Sequence, residues 1–238
     1  MLIYHKTFSQ AFYNFSMNDY HSQINKIKIK NSIDYIRIKY NNKFIVLKLV
    51  DESDETIHLL TKWRKLYRHM FASNFRMDEE HNKKWVNQKC STSDETILFM
   101  IYFDGKKVGN IGTNLFNEKE NSAELDNMMK DPHCREKGLM TIVEKVYLKW
   151  MFDYLKLSKI HGRLFTDNFR MLNIHLECGW KIIDVYPLRR EYTNDGWIWK
   201  EIKLQSEDEF GERYFHVIEL TKENLMKKFG DIEYEILF

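Results

Sequence analysis

The segment 122–180 constrains the fold most, because strands and helices alternate along it and polar loops lie at each junction. A strand over 122–129 is followed by a polar loop and then by a helix after Gly138, whose apolar residues recur at helical spacing. A second strand over 159–166 leads to a helix that begins after Asn168 and ends at Gly179. The pattern predicts a sheet with helices packed against it.

The loop before the first of these helices is a candidate anion site. The first turn of a helix leaves several backbone N–H groups unpaired, and these groups attract phosphates. Gly138 has no side chain that would obstruct an approaching ligand. Any polar loop before a helix offers similar donors, so the loop alone does not distinguish a phosphate site from an ordinary helix start.

Two motifs in this segment resemble those of the GNAT superfamily of acyl-CoA-dependent N-acyltransferases. The first is Arg135-x-x-Gly138 at a helix start. The second runs from Asn168 through His175, seven residues later, to Gly179-Trp180. The chain departs from the family pattern at Met140, where Gly or Ala is usual, and at His175, where Tyr is commonest. The resemblance covers residues 44–204.

The resemblance implies an α+β fold, with a mixed, mostly antiparallel sheet flanked by helices on both faces. The GNAT domain would span 44–204, between a β-rich extension at 1–43 and a second extension at 205–238 packed on the same domain. The implied reaction is direct attack of a primary amine on acetyl-CoA or a related short acyl-CoA in a ternary complex. The residues that match the family's CoA-binding positions are Asn127, Met128, Met129, Arg135, Glu136, Lys137, Gly138, Leu139, Met140 and Asn168.

Three titratable residues are candidates for proton transfer. Strand alternation places Glu124, Asp126 and Met128 on one face, unless a bulge intervenes. In the family this strand lies beside the thioester, where the attacking amine must lose a proton. His175 lies on an apolar helix face, at the family's Tyr position, where an imidazole could protonate the departing thiolate. The alternatives are structural carboxylates and a core histidine satisfied by one hydrogen bond.

The acceptor site is less defined. By resemblance, Phe75, Arg76, Arg189, Arg190 and Trp197 are candidate acceptor contacts, or else ordinary loop and edge-strand residues. The runs 124–127 and 137–140 are similar to those of enzymes that acylate an amino group on dTDP- or UDP-linked sugars for surface polysaccharides. The alternatives are acetylation of an amino acid, an antibiotic amine or a protein amino terminus, and a module that binds acyl-CoA without turnover.

Composition excludes several other classes. The 37 basic and 35 acidic residues are nearly balanced, so no nucleic-acid partner is expected. No apolar run reaches bilayer length, so no membrane partner is expected either. The three cysteines form neither an even framework nor a C-x-x-C pair, which favours a reduced, cytoplasmic protein. His133-Cys134 lacks the paired spacing of a zinc site, and no metal is expected.

Local patterns predict the remaining elements. Alternating residues predict strands at 24–30 and 33–40, joined at Asn31-Ser32, and a third strand at 44–50. These strands would cover a sheet edge, or else form a wall for a large acceptor or a homodimer contact. Acidic caps at 51–54 and 78–80 predict two helices, which the resemblance assigns to the acceptor side. Asp104-Gly105 and residues 194–196 predict hairpin turns, and the C-terminal part a strand, a short helix and a closing strand.

Overall fold

One mixed sheet with helices on both faces organises the chain. A computed structural model describes residues 20–29, 36–194, 196–204 and 209–237. The strands are β1 (Ile36–Tyr40), β2 (Lys43–Leu49), β3 (Ser73–Phe75), β4 (Ile97–Phe103), β5 (Lys106–Asn117), β6 (Ser122–Lys130), β7 (Lys159–Phe165), β8 (Lys181–Thr193), β9 (Gly196–Glu201), β10 (Arg213–Thr221) and β11 (Tyr234–Ile236). The helices are α1 (20–29), α2 (Asp54–Leu66), α3 (Glu79–Trp85), α4 (Leu139–Asp153), α5 (Phe169–Cys178) and α6 (Lys222–Phe229), with a 3₁₀ turn at Arg68–Met70 and a π-helical turn at Val86–Ser91.

The described strands form a sheet in the order β11-β1-β2-β4-β5-β6-β7-β10-β8-β9-β3. Among these strands, β6 and β7 pair in parallel and every other neighbouring pair is antiparallel. The parallel pair follows from the chain path, since the crossover through α4 returns β7 to the same direction as β6. The predicted fold class, a mixed and mostly antiparallel sheet flanked by helices, is confirmed.

The two faces of the sheet carry separate cores. On one face α4 contributes the largest buried side chains, including Tyr147 and Trp150, and α1 and α6 pack beside it. On the other face α2 places Leu60 and Trp63 against Met100. Fully burying a large apolar side chain contributes about 1.5–3 kcal/mol. The two helical layers therefore fix the central strands from both sides.

The predicted strand at 24–30 is wrong, because residues 20–29 form α1. Tyr20, Ile24 and Ile27 are all buried, and their spacing of four and three residues places them on one helical face. Tyr20 stacks on Phe116 with ring centroids 4.0 Å apart. Packing against the sheet thus overrides the local β pattern. In the helix Ile29 lies off the buried face and is exposed. The predicted turn at Asn31-Ser32 lies outside the described residues.

Most other local predictions are confirmed. Ser53 and Asp78 cap α2 and α3 through their side chains, and Asp104-Gly105 joins β4 to β5. Asn41 and Asn42 connect β1 to β2 with positive φ angles. Thr193 and Gly196 pair at the β8–β9 turn, whose Asp195 lies outside the described residues, and β10, α6 and β11 follow in the predicted order.

Strands from both predicted extensions belong to this sheet. Ile38 of β1 pairs with Ile45 of β2 on one side and with Tyr234 of β11 on the other. β1 and β11 therefore lengthen the sheet at its β2 edge, whereas β10, also from the C-terminal part, lies inside the sheet between β7 and β8. Across the described ranges, no helix combines the length and the apolar character needed to cross a bilayer.

Candidate active site

β6 and β7 diverge shortly after they meet. They pair only through residues 122–124 and 159–161, and β7 then continues along β10 while β6 continues along β5. The backbone of β6 from Leu125 onward has no ladder partner on the β7 side among the described strands. An extended ligand can hydrogen-bond to such an open strand.

A β-bulge at Asn127 reverses the faces of β6. Asn127 has a φ of 50°, and the register with β5 shifts beside it. Before the bulge, Ala123 and Leu125 belong to the core between the sheet and α4, called here the α4 core. Beyond the bulge, Met128 packs against the α4 core, and Met129 joins the core between the sheet and α2, called here the α2 core. One extra residue in a strand has this effect because side chains alternate with a period of two.

The bulge decides which predicted side chains lie together. Before the bulge, Glu124 and Asp126 alternate with the core residues Ala123 and Leu125. Both carboxyl groups therefore point to the opposite face of β6. Met128 does not share that face, so strict alternation was wrong for this residue. Asp126 accepts hydrogen bonds from the backbone and side-chain nitrogens of Asn127, the former at 2.7 Å.

The opening beside β6 leads into a cavity of about 600 Å³. Its wall comes from β6, β7, the start of α5 and the segment after α2. The residues predicted from the sequence that line it are Glu124, Asp126, Asn127, Met128, Met129, Met140, Asn168 and His175. All three candidates for proton transfer therefore meet donor-side candidates in one cavity, whose size suits a small-molecule site.

The loop before α4 turns its backbone amides outward. The Lys137 carbonyl accepts a hydrogen bond from the Tyr40 hydroxyl, and the Glu136 carbonyl accepts one from Lys130 Nζ. In a trans peptide the following N–H points opposite to the carbonyl, so the amides of Lys137 and Gly138 face away from these partners. Gly138 caps α4 with a φ of 73° and no side-chain hydrogen bond, which leaves the first helical amides free for an anion.

The other predicted donor residues differ in what they expose. Arg135, Glu136, Lys137 and Gly138 lie in this loop, beside the cavity rather than in its wall. Leu139 is fully buried, so only its backbone could contact CoA. Met140 is buried in the α4 core while still lining the cavity. Asn168 caps α5 by accepting a hydrogen bond from the Met171 amide.

Burial raises the pKa of both carboxyl groups on β6. The pKa of Glu124 is raised to about 7, first by burial, with opposition from the nearby Arg163 charge. Burial also raises the pKa of Asp126, against hydrogen bonds from Asn127 and the positive charge of Arg64. A carboxylate that titrates near neutrality is suited to accept a proton from an amine.

Arg64 of α2 is the cation that acts on Asp126. Its guanidinium lies over the rings of Phe71 and Trp85, at 5.2 Å and 4.6 Å from their centroids. Its Nε and Nη1 are buried without a hydrogen-bond partner among the described residues. The buried cation thus favours ionisation of Asp126 through charge alone.

His175 pairs with a residue that sequence analysis missed. Its Nδ1 lies 2.7 Å from Oε1 of Glu144, and Trp180 Nε1 donates to the same oxygen at 2.8 Å. Glu144 is fully buried and His175 is 6% exposed. The sequence gives one indication of this residue: Glu144 is a carboxylate on the otherwise apolar face of α4, four residues after Met140.

Four of the predicted acceptor residues, Arg76, Arg189, Arg190 and Trp197, do not line this cavity. Arg76 pairs with Asp78, and Arg189 pairs with Glu209 at 2.8 Å. The guanidinium of Arg190 lies 4.7 Å from the ring centroid of Trp197. The backbone of Phe75 pairs with that of Gly196. Sequence analysis missed the cavity residues Tyr67, His69, Arg163, Phe165, Arg170 and Phe215.

An opened β6–β7 pair, a bulged strand and a helix start without a side-chain cap are the features expected of an acyltransferase that uses acyl-CoA. Comparison with protein families agrees, because the acetyltransferase (GNAT) domain model matches residues 45–181, more than half of the chain. The chain belongs to the GNAT acetyltransferase family and is an acyl-CoA-dependent N-acyltransferase.

Solved structures share the fold. The spermidine N-acetyltransferase from Vibrio cholerae, in complex with CoA and spermine, has a TM-score of 0.59 and 12% identity over 76% of this chain and 98% of that one. RimJ from Mycobacterium smegmatis, in complex with CoA-disulfide, has a TM-score of 0.60 and 14% identity over 82% and 90% of the two chains. The search of curated proteins found no match to this sequence.

Proposed function

We propose that the protein acylates a primary amine by direct attack on acyl-CoA in a ternary complex, with Glu124 as general base and His175 as general acid. The observation that carries this proposal is the position of both residues in the wall of one cavity. The amine loses a proton as it attacks the thioester carbon, and the departing sulfur gains one. These two roles require two groups, and the cavity presents one on β6 and one on α5.

The donor would enter along the open side of β6. The pantetheine arm would follow the open side of β6 at 127–129, and the pyrophosphate would lie on the amides of 135–140. Outward-facing amides after the tethered Glu136 and Lys137 carbonyls support this placement. Asn168, at the start of α5, would contact the donor from the other side of the opening.

For the acceptor, we favour an amino group on a dTDP- or UDP-linked sugar. Its support is the resemblance of the runs 124–127 and 137–140, together with Arg163 and Arg170 in the cavity wall. Guanidinium groups bind phosphates in a bidentate manner and suit a sugar nucleotide. The predicted contacts at Phe75, Arg76, Arg189, Arg190 and Trp197, and the homodimer, remain predictions.

A polyamine is the second candidate, because the cavity also contains two carboxylates. Glu124 and Asp126 would attract a cationic amine, and the V. cholerae relative in complex with spermine is a spermidine N-acetyltransferase. The two acceptors place opposite demands on the cavity. A sugar nucleotide needs its arginines, whereas a polyamine needs its carboxylates.

Two measurements test these proposals. Acetyl-CoA at about 100 times its dissociation constant should stabilise the folded protein by about 2.7 kcal/mol in thermal unfolding. Thiol release from acetyl-CoA is then measured with amino-sugar nucleotides, spermidine, amino acids, aminoglycosides and peptides. Preferred turnover of an amino-sugar nucleotide, weakened by Arg163→Gln, would support the first acceptor. Preference for spermidine, lost in Asp126→Asn, would replace it, and binding without turnover of any amine would contradict the enzyme mechanism.

A further inference from the structure

Glu144 is a carboxylate in an apolar setting. Its neighbours on α4, including Val143, Tyr147 and Leu148, are fully buried parts of the sheet–helix core. Placing an ionised carboxylate there costs several kcal/mol unless its oxygens are bound. Oε1 receives the Trp180 indole and faces Nδ1 of His175, while Oε2 is buried without a partner among the described residues. A stable core would be easier to build with Leu or Met at this position.

The two partners of Oε1 differ in what they can do. Trp180 carries a fixed donor, is nearly fully buried and lies outside the cavity wall. His175 lies in the cavity wall, and its ring has a second nitrogen. No described residue bonds to Nε2 of His175. Glu144 therefore links the hydrophobic core to Nδ1 of a histidine whose other ring nitrogen, Nε2, remains available to substrates.

We propose that Glu144 is a positioning residue, which holds His175 with Nδ1–H toward the core and Nε2 toward the reacting thioester. The inference rests on the proposed role of His175. A histidine that donates one ring N–H to a carboxylate has its tautomer and ring plane fixed. The same logic operates where a buried aspartate orients the histidine of a serine hydrolase.

The step that involves His175 is the departure of the CoA thiolate. As the tetrahedral intermediate collapses, the carbon–sulfur bond breaks and its electron pair goes to sulfur. Sulfur takes the proton from Nε2 of the imidazolium, which becomes neutral imidazole with Nδ1–H still directed at Glu144. His175 regains a proton from solvent before the next turnover. Glu144 takes no part in the proton transfer and does not contact the substrate.

The test separates positioning from simple packing. Ring ¹⁵N–¹H correlation spectra of the full chain, with the His175 signals assigned through His175→Ala, report the tautomer directly. We expect Nδ1–H in the wild type, and loss of that tautomer in Glu144→Leu. Single-turnover acyl transfer by Glu144→Leu should fall by roughly 10- to 100-fold, part of the 10²–10⁴-fold effect of a general acid. Trp180→Phe removes the other donor to Oε1 and should transfer within about threefold of wild type.

A double variant tests whether Glu144 acts through the histidine. Glu144→Leu/His175→Ala should be no slower than His175→Ala, because the positioned group is already absent. A further tenfold loss would overturn the proposal, as would persistence of the Nδ1–H tautomer in Glu144→Leu. If Glu144→Leu does not fold, Glu144→Met provides an unbranched apolar side chain that gives Nδ1–H no strong acceptor. Transfer by folded Glu144→Met within about threefold of wild type would likewise overturn the proposal.

Failure of the proposed function would look different. If His175→Ala transfers acyl groups normally, the histidine is not the acid and Glu144 has no catalytic role. The spectra would still report whether Glu144 sets the tautomer, independently of turnover. The structural effect and the catalytic effect of the pair are therefore measured separately.

Discussion

Gly109 of β5 lies so close to β6 that a Cβ atom at this position would be 2.3 Å from the carbonyl oxygen of Met129. Met129 is the second residue after the bulge at Asn127. The side chain of Asn110, next to Gly109, donates a hydrogen bond to the Asn127 carbonyl. The glycine thus allows β5 to follow the bulged part of β6 closely, where β6 no longer pairs with β7.

We expect Gly109→Ala to destabilise the protein by about 1–3 kcal/mol, because backbone atoms cannot move aside as a side chain can. Urea unfolding measures the loss, and calorimetry measures CoA affinity in the fraction that folds. Gly162→Ala is the matched control, since the nearest atoms to a Cβ there belong to side chains and not to backbone: Ile218 at 3.0–3.1 Å and Trp180 at 3.6 Å. Equal losses in the two variants would contradict a special role for the β5–β6 contact.

The second prediction concerns Gly138. A Cβ here would meet only the Tyr40 hydroxyl, at 3.5 Å, so the protein itself leaves room for a side chain. The constraints are the φ of 73° and the space that a bound pyrophosphate would need. Gly138→Val should abolish detectable CoA binding in calorimetry. Asn tolerates this φ, so Gly138→Asn separates the causes: retained affinity means that conformation dominates, and lost affinity means that close approach does.

Unchanged affinity in Gly138→Val would contradict the loop assignment altogether. Arg135→Ala provides the comparison, because it removes a loop side chain and leaves the backbone amides in place. It should weaken CoA binding only partly.

The third prediction follows from the raised pKa of Glu124, about 7. A general base works in its deprotonated form, so kcat/KM should rise with pH and reach half of its plateau near pH 7. Glu124→Gln should lower the plateau by about 10²-fold or more and remove this limb. Ionisation of the acceptor amine gives a separate limb at higher pH, which should remain in the variant. A limb near pH 7 that survives in Glu124→Gln would assign the base elsewhere.

Stability gives an independent check on the same group. Glu titrates near 4.5 when unperturbed, so between about pH 4.5 and 7 the native state keeps a proton that the unfolded chain has lost. Raising the pH through this window therefore lowers the free energy of unfolding. Glu124→Gln should lack this decline. Parallel stability curves for the two proteins would mean that Glu124 is not protonated in the native state.

Much of this fold is predictable from the sequence, because the strongest signals in the sequence are local. Turn chemistry at Asp104-Gly105, caps at Ser53 and Asp78, and the helical stripe of α4 lie within a few residues of the elements that they determine. The strand prediction at 24–30 failed, because Ile27 and Ile29 alternate with lysines as in a strand, whereas Ile24 and Ile27 have helical spacing. Only the packing of Tyr20 on Phe116 of the sheet decides between the strand period and the helix period.

The candidate site was less accessible to sequence analysis. The bulge at Asn127 depends on Gly109 and Asn110, which lie on another strand, and without it Met128 would share the face of Asp126. The His175–Glu144 pair joins residues on different helices. Such contacts have no fixed spacing in the sequence. A charged residue on a buried stripe marks one partner, but it does not identify the other.

The last prediction concerns His175 itself, where the chain departs from the family pattern. If its imidazole protonates the CoA thiolate, His175→Ala should slow single-turnover transfer by roughly 10²–10⁴-fold and leave acceptor binding nearly intact. His175→Tyr should recover part of that rate, because a phenol can donate the same proton. His175→Tyr should not recover the full rate, since the contact between the His175 ring and Glu144 Oε1 is lost. A histidine that only packs would instead lower stability when replaced by Ala, and the folded fraction would transfer normally. Circular dichroism establishes the folded fraction before each measurement. A rate within about threefold of wild type would make His175 a core residue and leave thiolate protonation to solvent or another group.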